Sequence, residues 1–297
     1  MNIDEYQAES AETMQFEKTS EEALSIVMLG LNGEVGSLST EYKKKIRDGE
    51  NYALFKDKLI EEIGDIIWYL TAIATIEGIS LSQILKSNLK KTQDRWADIQ
   101  GVKQLELEGE FLDDEYEENE QFPREFVAKF KVGKNKHGKE CVDIFVNGEK
   151  FGDPIRDNHY EDDYYRYHDI FHFSYVTVLG WSPTSRGFMD RKRRSNEEKN
   201  EIEDGGRAIV IDEAISALVF EHAKIHNYYD GVTTLDEKLL QTIRLLTGHL
   251  EVKDASLKAW EHAILTGFEI WRKMRDAKQG RVICNLYEKT MMFEPLD

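Results

Sequence analysis

The run LIEEIGDIIWYLTAIA, residues 59–74, constrains the fold of this chain more than any other stretch. Its carboxylates Glu62 and Asp65 stand at i and i+3, on one face of a helix whose other faces are apolar. Ile66, Ile67, Trp68 and Leu70 follow directly, so Asp65 enters a segment that must be buried against other elements. Taking a carboxylate out of water costs several kcal/mol, roughly, unless it is paired or binds a metal. The competing interpretation is a helix N-terminal turn, where acids are welcome.

A second acidic helix lies upstream. In LGLNGEVGSLSTEYKKKIR, residues 29–47, Glu34, Ser37, Glu41 and Lys44 or Lys45 share one side, while Leu29, Leu31, Val35 and Leu38 supply apolar positions. Two helices joined by the polar stretch 48–56 pack antiparallel and bring Glu34, Glu62 and Asp65 towards one another. Like charges gathered between helices repel, and hard divalent cations with oxygen ligands relieve that repulsion. Carboxylate sites of this kind recur in helical bundles.

GEVGSLSTEYKK followed by EEIGDIIWYL resembles the all-α nucleoside triphosphate pyrophosphohydrolases of the MazG type, whose pattern is ExxE, a spacer, then ExxD. The resemblance runs from Glu5-Tyr6-Gln7 through Gly33-Glu34-Val35-Gly36 and Lys43-Lys44 to Asn88-Leu89-Lys90-Lys91, about the first third of the chain. It implies a four-helix fold, dependence on Mg²⁺ with Mn²⁺ as the alternative ion, and conversion of a (d)NTP to (d)NMP and pyrophosphate. It implies a homo-oligomer, a dimer or higher, because family members pair their bundles. Glu34, Glu62 and Asp65 match metal ligands, and Ser37 stands where the family has the second Glu of ExxE. Glu41, one turn beyond Ser37, or Glu61 beside Glu62 would then complete the set. Glu61 is also the candidate to accept the proton of the attacking water. Asn88 and Lys91 match positions that approach the nucleotide, and Lys44 is placed to assist. The base and sugar pocket is expected near Trp68, Tyr69 and the N-terminal segment.

A net charge of −18 over 297 residues argues against nucleic-acid or anionic-membrane binding. Two cysteines, Cys141 and Cys284, form no disulfide framework or zinc spacing, no stretch reads as a transmembrane helix, and the N-terminus does not read as a signal peptide. A soluble cytoplasmic protein is the expectation.

The length suggests two domains. Residues 106–120 hold nine acids and no bases and read as a solvated linker. We therefore expect a pyrophosphohydrolase-like domain over 1–105, a linker over 106–121 and a second domain over 122–297. Helices are predicted at 3–15, 21–47, 54–77 and 81–97, with Gly78 and Gly101 as punctuation. A β-hairpin is predicted over 125–151, then helices at 160–180, 186–195, 204–229, 234–249 and 255–278, and a short strand near 280–287. The fold class is mainly α: a four-helix bundle, then a β-hairpin plus helical domain.

The second domain has its own constellation. His168 and His172 stand at i, i+4 with Asp169 between them, and Glu213 and Glu221 lie two turns apart on a largely apolar helix. An HxxxH pair with carboxylates from a second helix has the form of a metal-ligand set; ordinary half-buried histidines bonded to acids have it too. The Glu of HExxH is missing, which removes zinc-peptidase chemistry. The region resembles one found attached to some MazG-type domains. Arg191-Lys192-Arg193-Arg194 reads as a solvated helix end, with a clamp on a phosphate-rich ligand or RNA as the alternative.

Three functions are compatible with these patterns: a Mg²⁺-dependent nucleotide pyrophosphohydrolase; a nucleotide-binding sensor or regulatory protein with a weakened first site; or a metal-dependent phosphohydrolase built on His168, His172 and Glu213.

Overall fold

The computed structural model describes residues 1–15, 22–96, 111–134 and 137–296. Two compact units result, Met1–Gln93 and Asp94–Asp297. The predicted end of the fourth helix at 97, Gly101 and residues 106–110 of the acidic run lie outside the described residues.

The first unit is helical throughout: α1 (Ile3–Glu12), α2 (Ala23–Asp48), α3 (Phe55–Ile76) and α4, which runs from Leu81. Asn2 caps α1 in a reciprocal capping box with Glu5. Gly49, at φ 59°, ends α2 in a conformation that an L side chain rarely adopts. The chain turns at once, so α2 and α3 pack antiparallel, with Tyr42 against Phe55 at one end and Gly30 under Tyr69 at the other. A Cβ at Gly30 would stand 2.2 Å from Tyr69 Cε1, so the helices approach this closely only over glycine. Gln7 of α1 bonds the Ile79 carbonyl and the Leu81 amide at the α3–α4 turn, at 2.9 and 2.8 Å.

The core of this unit is thin. Ala23, Val27, Ala72, Ala74 and Leu81 are its buried apolar residues among those described, while Leu29, Ile46 and Ile60 are 74%, 83% and 72% exposed.

The second unit carries five antiparallel strands in the order β3-β2-β1-β4-β5: β1 (Glu125–Lys134), β2 (Glu140–Val146), β3 (Glu149–Ile155), β4 (Gly280–Asn285) and β5 (Thr290–Pro295). The predicted hairpin is β1–β2, with Ala128 opposite Val146. The predicted strand near 280–287 is β4, paired in turn to β5. Phe126, Ala128 and Phe130 alternate inward along β1, as a strand with one covered face requires.

The helices are α5 (Asp169–Leu179), α6 (Pro183–Phe188), α7 (Glu197–Ile202), α8 (Gly206–Lys224), α9 (Glu237–Thr247) and α10 (Leu257–Ala277). Every side chain from Asp169 to Val178 is buried, which makes α5 the central element. Its Phe173 meets Phe126, Phe130 and Phe151 of the sheet. Its Phe171 and Tyr175 meet Phe268 and Trp260 of α10. A helix enclosed on all sides has no amphipathic stripe, so its polar members Asp169, His172, Ser174 and Thr177 need partners inside the protein.

Two charged stretches depart from expectation. Within the acidic run, Asp113 is 1% exposed and Glu120 8%. Asp113 accepts from the Phe122 amide at 2.8 Å and pairs with Arg186 at 2.9 Å and Arg124 at 2.8 Å. Glu120 receives the Ser195 amide at 2.9 Å and the Ser195 hydroxyl. Residues 111–121 thus belong to the packed second unit instead of a solvated linker, because buried arginines demand anions. Nor is the basic run wholly solvated, although Arg194 is exposed. Helix α6 stops at Phe188, and Arg193 is 1% exposed, gripped by Asp204 and Glu251 at 2.7 Å each. With its guanidinium already saturated by carboxylates, Arg193 is not a phosphate clamp.

Candidate functional site

In the first unit, Glu34 and Glu41 come from α2, and Glu61, Glu62 and Asp65 from α3. Helical spacing puts Glu34 and Glu41 two turns apart on the side of α2 facing α3. Desolvation, then the charges of Glu34, Glu41, Glu61 and Asp65, hold the Glu62 carboxyl above its ordinary range. Glu34, Glu62 and Asp65 therefore share one electrostatic neighbourhood, but Asp65 is exposed, as are Ile67 and Leu70, so the expected burial of this segment is not found in the structure. Their oxygens are not drawn together to metal-ligand spacing; among the described residues that closeness occurs only in the second unit.

Glu41 is differently engaged. Lys44 reaches it at 2.6 Å, and the Tyr52 hydroxyl donates to its other oxygen. Those bonds hold the Glu41 carboxyl low, and the same bond pushes Tyr52 up to about 12. Neither Tyr52 nor this triad was picked out from the sequence; Tyr52 lies in a stretch read only as polar connection. Glu61 points outward and pairs with Lys58 at 2.5 Å. Asn88 and Lys91 stand on an exposed stretch of α4. Trp68 packs edge-on against Tyr69 and donates its indole N–H to Thr13 at 2.7 Å, tying α3 to the end of α1.

In the second unit, the turn before α5 and the first turn of α5 present His168, Asp169 and His172, and α8 presents Glu213. One ligand atom from each of His168, Asp169 and His172 lies within 4.8 Å of the others. Glu213 Oε2 stands 3.9 Å from His168 Nε2 and 3.5 Å from His172 Nε2. The missing member is Asp212, fully buried, whose Oδ1 meets His172 Nδ1 at 2.9 Å. Its Oδ2 accepts from the Ser182 hydroxyl at 2.7 Å and the Thr184 amide at 3.1 Å.

Burial alone would push the His172 pKa down; the Asp212 and Glu213 carboxylates outweigh it and hold the group well above its ordinary value. Burial pushes the Asp169 carboxyl up. Burial acts the same way on Glu213, but the neighbouring His172 outweighs it and its pKa is lowered. The helical period offered a signal for Asp212: with Ala208, Ile215 and Val219 it occupies the inward stripe of α8, whereas Glu213 is half-exposed.

No helix among the described residues is long and apolar enough to cross a membrane. The family profile of the MazG nucleotide pyrophosphohydrolase domain matches residues 24–99, and that of the MazG C-terminal domain matches residues 108–297. The Gene 37 protein of Mycobacterium phage L5 is 33% identical over 101 residues, which cover 32% of this chain and 89% of that protein. No solved structure matches. With one profile spanning the carboxylate helices and the other the whole sheet-and-helix unit, the chain belongs to the MazG family, a nucleotide pyrophosphohydrolase domain followed by a MazG C-terminal domain.

Proposed function

We propose that the first unit is a divalent-metal-dependent pyrophosphohydrolase that cleaves a nucleoside triphosphate between its α and β phosphates. The observation that carries this reading is the gathering of Glu34, Glu41, Glu61 and Asp65 around Glu62, whose carboxyl is raised by desolvation first and by their charges next. Such an all-oxygen anionic set suits a hard cation, Mg²⁺ first and Mn²⁺ second. Glu34, Glu62 and Asp65 would hold it, and the ion would supply charge neutralisation on phosphate oxygens and an acidified water. Glu41 serves as a buttress, since Lys44 and Tyr52 already occupy both its oxygens. Glu61 remains our candidate for proton acceptance, which requires it to leave Lys58. Asn88, Lys91 and Lys44 are proposed to approach the phosphates, and the base to lie near Trp68 and Tyr69.

Three unencumbered carboxylates carry −3, one short of balancing two divalent ions. That deficit favours a second reading, a nucleotide-binding regulator of low turnover. The exposed apolar side chains of α2 and α3, Leu29, Ile46 and Ile60 among them, support pairing of two such units in a homo-oligomer.

The test is a panel of (d)NTPs with Mg²⁺ or Mn²⁺, following pyrophosphate against phosphate. Pyrophosphate and NMP from the wild-type chain, with release at least about a hundredfold lower in Glu62→Gln, support the proposal. Release of inorganic phosphate alone, or pyrophosphate release indifferent to Glu62, refutes it. Binding of nucleotide without turnover selects the regulator.

A further inference from the structure

We infer that the second unit holds its own divalent metal, bound by His168 Nε2, Asp169, His172 Nε2 and Glu213, independent of the carboxylate site in the first unit. The ion is of the transition class, such as Mn²⁺, Fe²⁺, Co²⁺ or Zn²⁺, because the donor set mixes imidazole nitrogens with carboxylate oxygens.

Both imidazoles are oriented for ligation. His168 Nδ1 lies 2.9 Å from the Tyr165 carbonyl, which can only accept, so that nitrogen carries the proton and Nε2 keeps its lone pair. The Tyr165 ring stacks on His168 at 4.4 Å and 3°, fixing the imidazole plane. His172 Nδ1 lies 2.9 Å from Asp212 Oδ1, and Asp212 is itself fixed by Ser182 and Thr184. This is the outer-shell arrangement that metal-bound histidines use: the far N–H donates to a carbonyl or carboxylate, and the near nitrogen faces the ion.

His172 Nε2 is fully buried and has no hydrogen-bond partner. A simple ion pair would close that gap to about 2.8 Å, the usual length of a charge-assisted bond. Instead Nε2 stands 3.5 Å from Glu213, and His168 Nε2 stands 3.7 Å from Asp169 and 3.9 Å from Glu213. Ligands bonded at about 2.1 Å around a tetrahedral ion lie about 3.4 Å apart. The separations therefore fit atoms arranged around a shared centre better than atoms bonded to each other. Glu213 is 41% exposed and His168 13%, so the centre opens to solvent on one side, where a water or a substrate oxygen has room to join as a fifth ligand.

The experiment uses the full chain, stripped by chelation and titrated with Co²⁺ alone, read by proton NMR. An imidazole bound to Co²⁺ through Nε2 shifts its exchangeable Nδ1 proton far outside the protein envelope; an all-oxygen site gives no such signal. Two shifted exchangeable signals are expected in wild type and in Glu62→Gln, and one in His168→Asn, a half-buried position where replacement spares the core. Co²⁺ affinity should fall at least about tenfold in His168→Asn. Absence of the signals in the folded wild-type chain, or their loss in Glu62→Gln with retention in His168→Asn, overturns the assignment.

Discussion

Replacing Asp212 by Asn removes its negative charge and leaves only one of its two terminal atoms able to accept a hydrogen bond, and the surrounding donors decide how the amide sits. Oδ2 takes two donors, the Ser182 hydroxyl at 2.7 Å and the Thr184 amide at 3.1 Å, while Oδ1 takes one, from His172 Nδ1 at 2.9 Å. Asn has a single acceptor oxygen, and two donors outvote one, so its NH₂ turns towards His172. Nδ1 must then accept, and the remaining imidazole proton is held on Nε2, where it points into the proposed metal centre. Binding an ion requires the original tautomer and sacrifices one buried charge-assisted hydrogen bond, about 1.5–3 kcal/mol. At about 1.4 kcal/mol per decade, Co²⁺ affinity falls about ten- to a hundredfold. Nitrogen-detected imidazole NMR of the apo protein reports the tautomer, and calorimetry reports the affinity. Ser182→Ala is the control: it removes one donor, leaves Oδ1 untouched and keeps the Nδ1–H form. Wild-type affinity in Asp212→Asn, with the His172 proton already on Nε2, would refute the reasoning.

Three further outcomes are expected. Ser37→Glu restores the fourth carboxylate facing Glu62 and should tighten Mg²⁺ binding about tenfold or more with a parallel rise in pyrophosphate release, read by titration and initial rates; no change would show that Glu34, Glu62 and Asp65 suffice. Asp204→Ala strips the Arg193 amide and guanidinium of bonds at 2.7–3.2 Å in a fully buried setting. The loss should be about 3–5 kcal/mol, lowering the melting temperature of the second unit by about 6–20 °C in calorimetry. Burial, then the neighbouring His226, hold His222 below its ordinary 6.5. Below 6.5 the unfolded chain binds this proton first, so the contribution of His222 to stability is complete above 6.5 and is lost as pH falls through the folded value. Urea midpoints from pH 5 to 7.5 should slope upward, and His222→Asn should flatten that slope.

The helices of the first unit were legible because each announces itself locally. Asn2 and Glu5 cap α1, Gly49 stops α2, and the apolar run 59–74 dictates α3. Most of the second unit was legible for the same reason, but β3 and β5 were not, and the helix predicted at 186–195 is wrong: α6 ends at Phe188 and the next helix, α7, begins at Glu197. β3 carries Gly152 and Pro154, which spoil alternation, and β5 is a six-residue run near the chain end whose pairing to β4 is a tertiary fact. Helix α5 starts at Asp169 instead of 160 because Tyr164, at φ 66°, breaks the chain just before it. In the sites, the individual ligand candidates were visible as types and spacings. Their relations were not: Tyr52 on Glu41 and Asp212 behind His172 are contacts between elements. The reversal at Arg193 has the same origin, since a basic tetrad looks solvated until its anions, Asp204 and Glu251, are found 11 and 58 residues away.

The burial of Asp113 and Glu120 has a consequence for where the second unit begins as an autonomous folding body. Both residues precede its first strand, yet they supply the acceptors that Arg186 and Ser195 use: Arg186 donates to Asp113 and to the Glu120 carbonyl at 2.8 Å, and Ser195 to the Glu120 carboxylate. A fragment starting at Phe122 would retain every strand and helix and still lose those acceptors, leaving a buried guanidinium short of counter-charge. The cooperative boundary therefore falls upstream of the first regular element, and protease cuts within 113–120 should loosen α6, far along the chain, as readily as β1 beside them.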